Sequence, residues 1–314
     1  MNAITLMEKT ISKSYKEIQA IKIVKKGATL YENTFSDNPV ETRYHIFSVT
    51  KSIMGLLVGI CIDKGYIESE NVSLGDFFGD RFAKITLKDV LTMHLSYKFK
   101  KEPYEKYFTS MDYLDFVLGQ VDEKKSPGKF TYSPVIGPDI LSGVIMKATG
   151  KSVREFAVEK LFEPLGIEVS EDMIFHSREE QMDFYESYGR SGWVADKCGH
   201  NTAGFGLMLS VEDLCKIGEM IAAGGVYAGK RLLSQDWIDK MSTPRDAFMD
   251  MMYGYLWWIP DEKHGAVAAV GDGCNILYCN RENALVVAVT GMFRKRHMDI
   301  TKLLMEDILP IFFE

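Results

Sequence analysis

Phe47-Ser48-Val49-Thr50-Lys51-Ser52, running directly into the apolar stretch Ile53–Ile62, is the segment from which the rest of the chain can be read. Residues three apart share a helix face, so a helix starting here sets the Lys51 amine beside the Ser48 hydroxyl. Such a pair can make a serine nucleophilic without a histidine. The helix entrance adds unpaired backbone N–H groups and the positive dipole end, and both favour a developing alkoxide. The run behind it is apolar on every face, which predicts a helix buried at the centre of the fold. The tetrapeptide has a second reading, a helix-capping serine followed by a surface lysine. Ser126-Pro127-Gly128-Lys129 shares the spacing, and its Pro-Gly centre makes it a turn.

With 314 residues the chain can bury a large core, in one large domain or two interleaved ones. A hydrophobic share of 46% and a charged share of 26% are those of a soluble globular protein. The net charge of −7, with no basic stripe, argues against nucleic acid as the main partner. Cys61, Cys198, Cys215, Cys274 and Cys279 are odd in number and contain no C-x-x-C pair, so they read as reduced, mostly buried thiols. The start of the chain lacks an apolar signal core, and Ile53–Ile62 is too short to span a bilayer. Gly55-x-x-x-Gly59 therefore reads as close helix contact in a soluble core, and a cytoplasmic location is expected.

Ile4, Met7, Ile11, Tyr15 and Ile18 are spaced for an amphipathic helix, and Ala20–Lys25 with Ala28–Phe35 for a β-hairpin. From Ile62 to about Thr243 the pattern is helical and loop-rich, with Pro138 in the first turn of a helix carrying Leu141, Ile145 and Ala148 on one face. Strand character returns in Tyr253–Ile259, Ala266–Val270, Ile276–Cys279 and Ala284–Thr290, and Met298–Phe312 reads as a closing helix. Strands at both ends around a helical middle predict an α/β (α+β) fold. Its mainly antiparallel sheet would be built from both chain termini, over residues 1–68 and 244–314, with an inserted helical lobe at 69–243.

A serine–lysine pair also needs a proton relay and an oxyanion hole. Tyr132, in Pro127-Gly128-Lys129-Phe130-Thr131-Tyr132-Ser133-Pro134, is the relay candidate; the plainer reading is one packed tyrosine among 15. With these residues in view, the chain resembles the serine β-lactamase-related family. The resemblance is to the branch of class C β-lactamases, D-alanyl carboxypeptidases, family VIII esterases and 6-aminohexanoate-dimer hydrolases. Phe47–Ser52 fits the nucleophile motif and Tyr132-Ser133 the Y-x-N region. Ala148–Ser152, Leu161–Gly166, Ala203-Gly204, Leu209–Leu214, Tyr253–Tyr255 with Trp257-Trp258, and Gly271–Asn275 are similar to the blocks that follow. The resemblance implies a β-lactamase/transpeptidase-like fold with its site between sheet and helical lobe. It also implies Ser48 as acylated nucleophile, Lys51 as activating base, Tyr132 as relay, and the N–H groups of Ser48 and Asn275 as oxyanion donors. No cofactor or metal is implied.

Three departures bear on the substrate. Asp272 stands where relatives carry Lys or His and would repel a substrate carboxylate. Pro134 replaces the motif's Asn and its side-chain amide. Cys274 replaces Gly and is expected to crowd the strand beside a substrate. Asp272 also reads as a plain turn residue in Val270-Gly-Asp-Gly. The expectation is a serine hydrolase, an esterase or amidase acting on small neutral or cationic substrates rather than an efficient β-lactamase. The alternative is a non-catalytic binding or scaffold protein that kept the penicillin-binding fold. Oligomeric state is open.

Other motifs carry less. Gly224–Lys230 fits most of a phosphate-binding loop but has Arg231 where Ser or Thr is needed, and reads as a surface turn. The six histidines show no metal-ligand spacing; His264, in Lys263-His264-Gly265, falls in a turn, and His200 alone stands near a family block. Trp257-Trp258 and the aromatic-rich Tyr104–Phe116 could line a cleft, with core packing as the default.

Overall fold

The computed structural model describes residues 2–248, 251–262, 264–294 and 299–313. An N-terminal helix, α1 (Ala3–Ser14), is capped by the Asn2 side chain, which accepts the Thr5 N–H at 2.8 Å. The helix ends before Tyr15, so Ile18, expected on its face, instead opens strand β1 (Ile18–Lys25), which pairs with β2 (Ala28–Thr34). The buried helix α2 spans Val49–Asp63, and α3 spans Ile136–Thr149. After α4 (Val211–Ala222) come β3 (Asp246–Phe248), β4 (Met251–Tyr253), β5 (Trp258–Asp261), β6 (Ala266–Gly271), β7 (Asn275–Asn280) and β8 (Leu285–Gly291). The eight strands form one antiparallel sheet in the order β2-β1-β8-β7-β6-β5-β4-β3. The first strand thus lies beside the last, with Ile21 opposite Val289.

Side-chain alternation explains why the central strands are buried on both faces. Ala20 and Val24 of β1, Leu277 and Cys279 of β7, and Val286 and Ala288 of β8 join the large core around α2. Their neighbours Ile21 and Ile23, Ile276 and Tyr278, and Val287 and Val289 face a second core made with α1 and the C-terminal helical segment. That segment runs from Ile300 to Phe312; the expected start at Met298 lies outside the described residues.

Helix α2 is buried from Val49 to Cys61. Its glycines admit partners that a methyl group would exclude. A Cβ on Gly59 would fall 2.2 Å from the Trp237 ring, and the Trp237 indole N–H donates to the Gly55 carbonyl at 3.0 Å. Among the described residues no helix is long and apolar enough to cross a membrane.

One local expectation changes. The run Tyr253–Ile259 is not one strand, because the chain turns at Gly254–Leu256 and sends Tyr255 and Trp257 into the α2 core. The Gly224–Lys230 turn belongs to a two-stranded hairpin, Val226–Tyr227 with Lys230–Arg231, and Arg231 donates to the Gly224 carbonyl at 2.9 Å.

Candidate active site

Ser48 is the residue at the entrance of α2, yet its hydroxyl caps no backbone group. The preceding Phe47 takes φ +46°, a left-handed conformation uncommon for a bulky side chain, and this turns the chain sharply into the helix. The end of β6 abuts the turn: a Cβ on Gly271 would lie 2.3 Å from the Ile46 carbonyl oxygen and 3.1 Å from the Ser48 nitrogen. Among the described residues no backbone carbonyl accepts the Ser48 N–H.

Lys51, one turn on, is 1% exposed, which removes the surface-lysine reading. Its amine donates to Ser48 Oγ at 2.8 Å and to the Gly204 carbonyl at 2.7 Å. Burial lowers its pKa to about 7, against the opposing charges of Glu102, Asp272 and Asp139. A large fraction of the amine is therefore neutral near pH 7.

Tyr132 approaches from the loop before α3. The Lys51 amine lies 5.4 Å from its ring centroid, and the ring packs against Trp258 at 5.7 Å and Phe248 at 5.9 Å. Burial raises the phenol to about 12; the Ser48 hydroxyl, close enough to act on it, pulls the other way, and Asp272 and Glu102 add to the rise. At neutral pH the phenol keeps its proton.

Two carboxylates that the sequence reading passed over hold this arrangement. Asp139, buried on α3, accepts the Ala203 and Gly204 N–H groups at 2.7 and 2.9 Å and the Tyr107 hydroxyl. Burial outweighs those bonds and the Lys51 charge, leaving it at about 6. Glu102 accepts from the Ser133 hydroxyl at 2.9 Å and from the Val135 and Ile136 N–H groups at 3.1 and 2.6 Å, fastening the Tyr132 loop to the start of α3. A carboxylate inside the apolar Ile136–Ile145 run was a legible signal for Asp139; Glu102, in a charged loop, offered none. Gly204 was recognised only as part of a block. A Cβ there would come within 2.5 Å of the Pro134 carbonyl oxygen, so only glycine lets the two loops meet.

Residues 272–274 form a tight turn between β6 and β7, with Gly273 at φ +72° and Cys274 at φ +66°. Asp272 is exposed to the cleft. Cys274 is a turn residue, not a strand residue, and its buried side chain packs with the second core, so the expected crowding takes a different form. Asn275 opens β7 fully buried: its amide donates to the Asp272 carbonyl at 2.6 Å and its oxygen accepts the Gly291 N–H at 3.1 Å. Its side chain ties the turn to β8 and lines neither of the cavities described next, because the turn closes one residue before it.

Two cavities meet at Ser48, Pro134 and Asp272. One, of about 590 Å³, is walled by Phe47, Phe108, Tyr185, Phe205 and Phe293. The other, of about 480 Å³, is walled by Tyr132, Phe248, Trp258, Val270 and Cys274. Trp258, Tyr104 and Phe108 thus reach the cleft, while Trp257, Tyr107 and Tyr113 are core.

His45 is fully buried and held neutral by burial, its pKa lowered to about 3, and it accepts the Gly206 N–H at 2.9 Å. His200 stands with Asp112 and Asp196 as a possible ligand group. Asp196 already accepts the N–H groups of Tyr113, Cys198 and His200 and bonds the His200 ring, which makes it a loop organiser. His264 lies in a turn beside Asp261, and Lys263 and His297 lie outside the described residues.

The sequence matches the family designated Beta-lactamase over residues 18–300. It is 23% identical over 282 residues to the 6-aminohexanoate-dimer hydrolase of Paenarthrobacter ureafaciens, a match covering 80% of this chain and 66% of that protein, just under two thirds of its length. Among solved structures it superposes on a penicillin-binding protein from Bacillus halodurans with a TM-score of 0.72 at 18% identity, covering 99% of this chain and 100% of that one. The octameric penicillin-binding protein homologue from Pyrococcus abyssi gives a TM-score of 0.67 at 20% identity, covering 99% and 77%. An antiparallel sheet joined from both termini and a match across nine-tenths of the sequence carry one conclusion: the chain belongs to the Beta-lactamase family.

Proposed function

We propose that this protein is an esterase or amidase that works through an acyl-enzyme on Ser48. The observation that carries the reading is the buried Lys51 amine, 2.8 Å from Ser48 Oγ and lowered to about 7. A neutral amine has two N–H bonds and one lone pair. With one N–H fixed on the Gly204 carbonyl, the lone pair is free to turn toward Ser48 and take its proton. The Ser48 oxygen bonds to the substrate carbonyl carbon, and the proton passes to Lys51. When the C–O or C–N bond to the leaving group breaks, Tyr132 gives that atom its proton and regains one from Lys51. Water then attacks the ester on Ser48, with the same groups running in reverse. The Ser48 N–H faces the developing oxyanion; the second donor is assigned to the backbone N–H of Asn275, as the family resemblance implies.

Asp272 fronts both cavities, and its negative charge disfavours a carboxylate beside the reacting carbonyl. Neutral or cationic esters and amides fit, and efficient β-lactamase action does not. Four of the five cysteines are buried, in keeping with the cytoplasmic location we assign. The test is Ser48→Ala, assayed on nitrophenyl acetate with a fluorophosphonate probe. Wild type should be labelled on Ser48, and the variant should lose turnover by about 10³-fold or more. An unlabelled, inactive wild type would instead mark a protein that kept the fold without the chemistry.

A further inference from the structure

The cleft is divided at Ser48, and the two arms differ in which chemical groups they offer. Tyr132 lines only the smaller arm. A phenol that protonates the departing atom must face that atom, so the leaving group exits into the smaller arm and the acyl group occupies the larger one. The larger arm carries two groups of packed aromatic rings: Phe47 lies 5.6 Å from Phe293 and 5.7 Å from Tyr185, and Phe108 lies 5.6 Å from Phe205. Phe47 and Phe205 form a buried floor, and the exposed Met182 stands at the rim. The charged groups of this arm, Glu105 and Arg178, are solvent-exposed, and Asp272 sits where the arms join. About 590 Å³ is within the range that houses a whole small ligand, far more than an acetyl group fills.

We infer that the larger arm is an acyl-chain site, selecting substrates whose acyl group is an uncharged, medium-length alkyl or aryl chain while the alcohol or amine leaves past Tyr132. The inference rests on the acyl-enzyme reading above and adds to it the side of the substrate that is recognised. An anionic acyl chain is disfavoured by the Asp272 charge and by the apolar walls, the Arg178 cation of this arm being solvent-exposed. Each methylene transferred from water to this arm should raise kcat/KM about fourfold until the arm is full.

Methyl octanoate and heptyl acetate are isomers that place the long chain on opposite sides of the same ester, and methyl acetate is the short reference. Wild type should favour methyl octanoate over methyl acetate by at least about 30-fold, the gain from burying between two and three of the six added methylenes. Met182→Lys, at an exposed rim position that should not compromise folding, should cost methyl octanoate about tenfold and heptyl acetate under about threefold. Phe248→Ala, in the smaller arm, should reverse that pattern. A flat dependence on acyl length, or a Met182→Lys penalty equal or larger on heptyl acetate, would overturn the acyl-chain assignment. Labelling of Ser48 by a fluorophosphonate in each variant separates that result from failure of the serine chemistry, which would leave all three proteins unlabelled and overturn both readings.

Discussion

Asp139 Oδ1 accepts the N–H of Gly204 at 2.9 Å, and the carbonyl of the same Gly204 receives the Lys51 amine at 2.7 Å. A buried carboxylate on one helix thereby fixes the carbonyl that holds the amine of a lysine on another helix. Asp139→Ala leaves two N–H groups and the Tyr107 hydroxyl without their acceptor, at about 1–3 kcal/mol for each buried group. Asp139→Asn keeps an acceptor. Chemical denaturation should show a loss of several kcal/mol for the first and a smaller one for the second. Both should lower kcat more than they change KM.

The pH dependence follows from Lys51. If the neutral amine is the base, kcat/KM rises about tenfold per pH unit below about 7 and levels above it. Stability has the same sign. An unfolded lysine titrates near 10.5, so between about 7 and 10.5 the unfolded chain binds a proton that the native chain lacks. This contribution is full above 10.5 and is lost as pH falls through 7, at up to ~1.4 kcal/mol per unit. Denaturation of Lys51→Met beside wild type should show the variant gaining ground as pH drops from 10 to 7. A constant difference would contradict a lowered lysine.

Tyr132→Phe removes the proton donor and keeps the ring packed against Trp258 and Phe248. Its cost should depend on the leaving group. An alkoxide or amine needs the proton, so kcat/KM, which reports acylation, should fall by about 10²–10⁴ for alkyl esters and amides. Nitrophenolate leaves without one and should be affected far less. Equal losses on both substrates would argue for a merely structural tyrosine.

Asp272→Asn removes the charge at the junction of the two arms without altering the turn. Hydrolysis of a nitrophenyl hemisuccinate relative to the neutral butyrate should improve by about tenfold, equivalent to ~1.4 kcal/mol of relieved repulsion. An unchanged ratio in steady-state assays would show that Asp272 is only a turn residue.

Gly59→Ala tests the packing that buries the helix carrying Lys51. The added methyl would lie 2.2 Å from the Trp237 ring, so strain should outweigh the helix propensity gained, with a loss of about 1–3 kcal/mol in urea. Gly59→Ala combined with Trp237→Leu should recover part of it.

The sequence by itself determined the elements whose chemistry is local. Period and composition marked α2 as a buried helix, and three-residue spacing set Ser48 beside Lys51, because helix geometry fixes neighbours without reference to the rest of the chain. Side-chain alternation likewise marked the strands at both ends, and ordered blocks named the family. The tertiary structure alone decided what the local pattern leaves free. It turned Tyr255 and Trp257 inward where the sequence read one strand, closed the 272–274 turn so that the Asn275 side chain faces the core, and brought Asp139 and Glu102 to the site from distant segments. It also put Phe47, Phe108, Tyr185, Phe205 and Phe293 around one cavity, although they are spread over almost 250 residues. Burial and long-range contact set the lysine's proton affinity and the shape of the cleft, and neither is a property of any short stretch of chain.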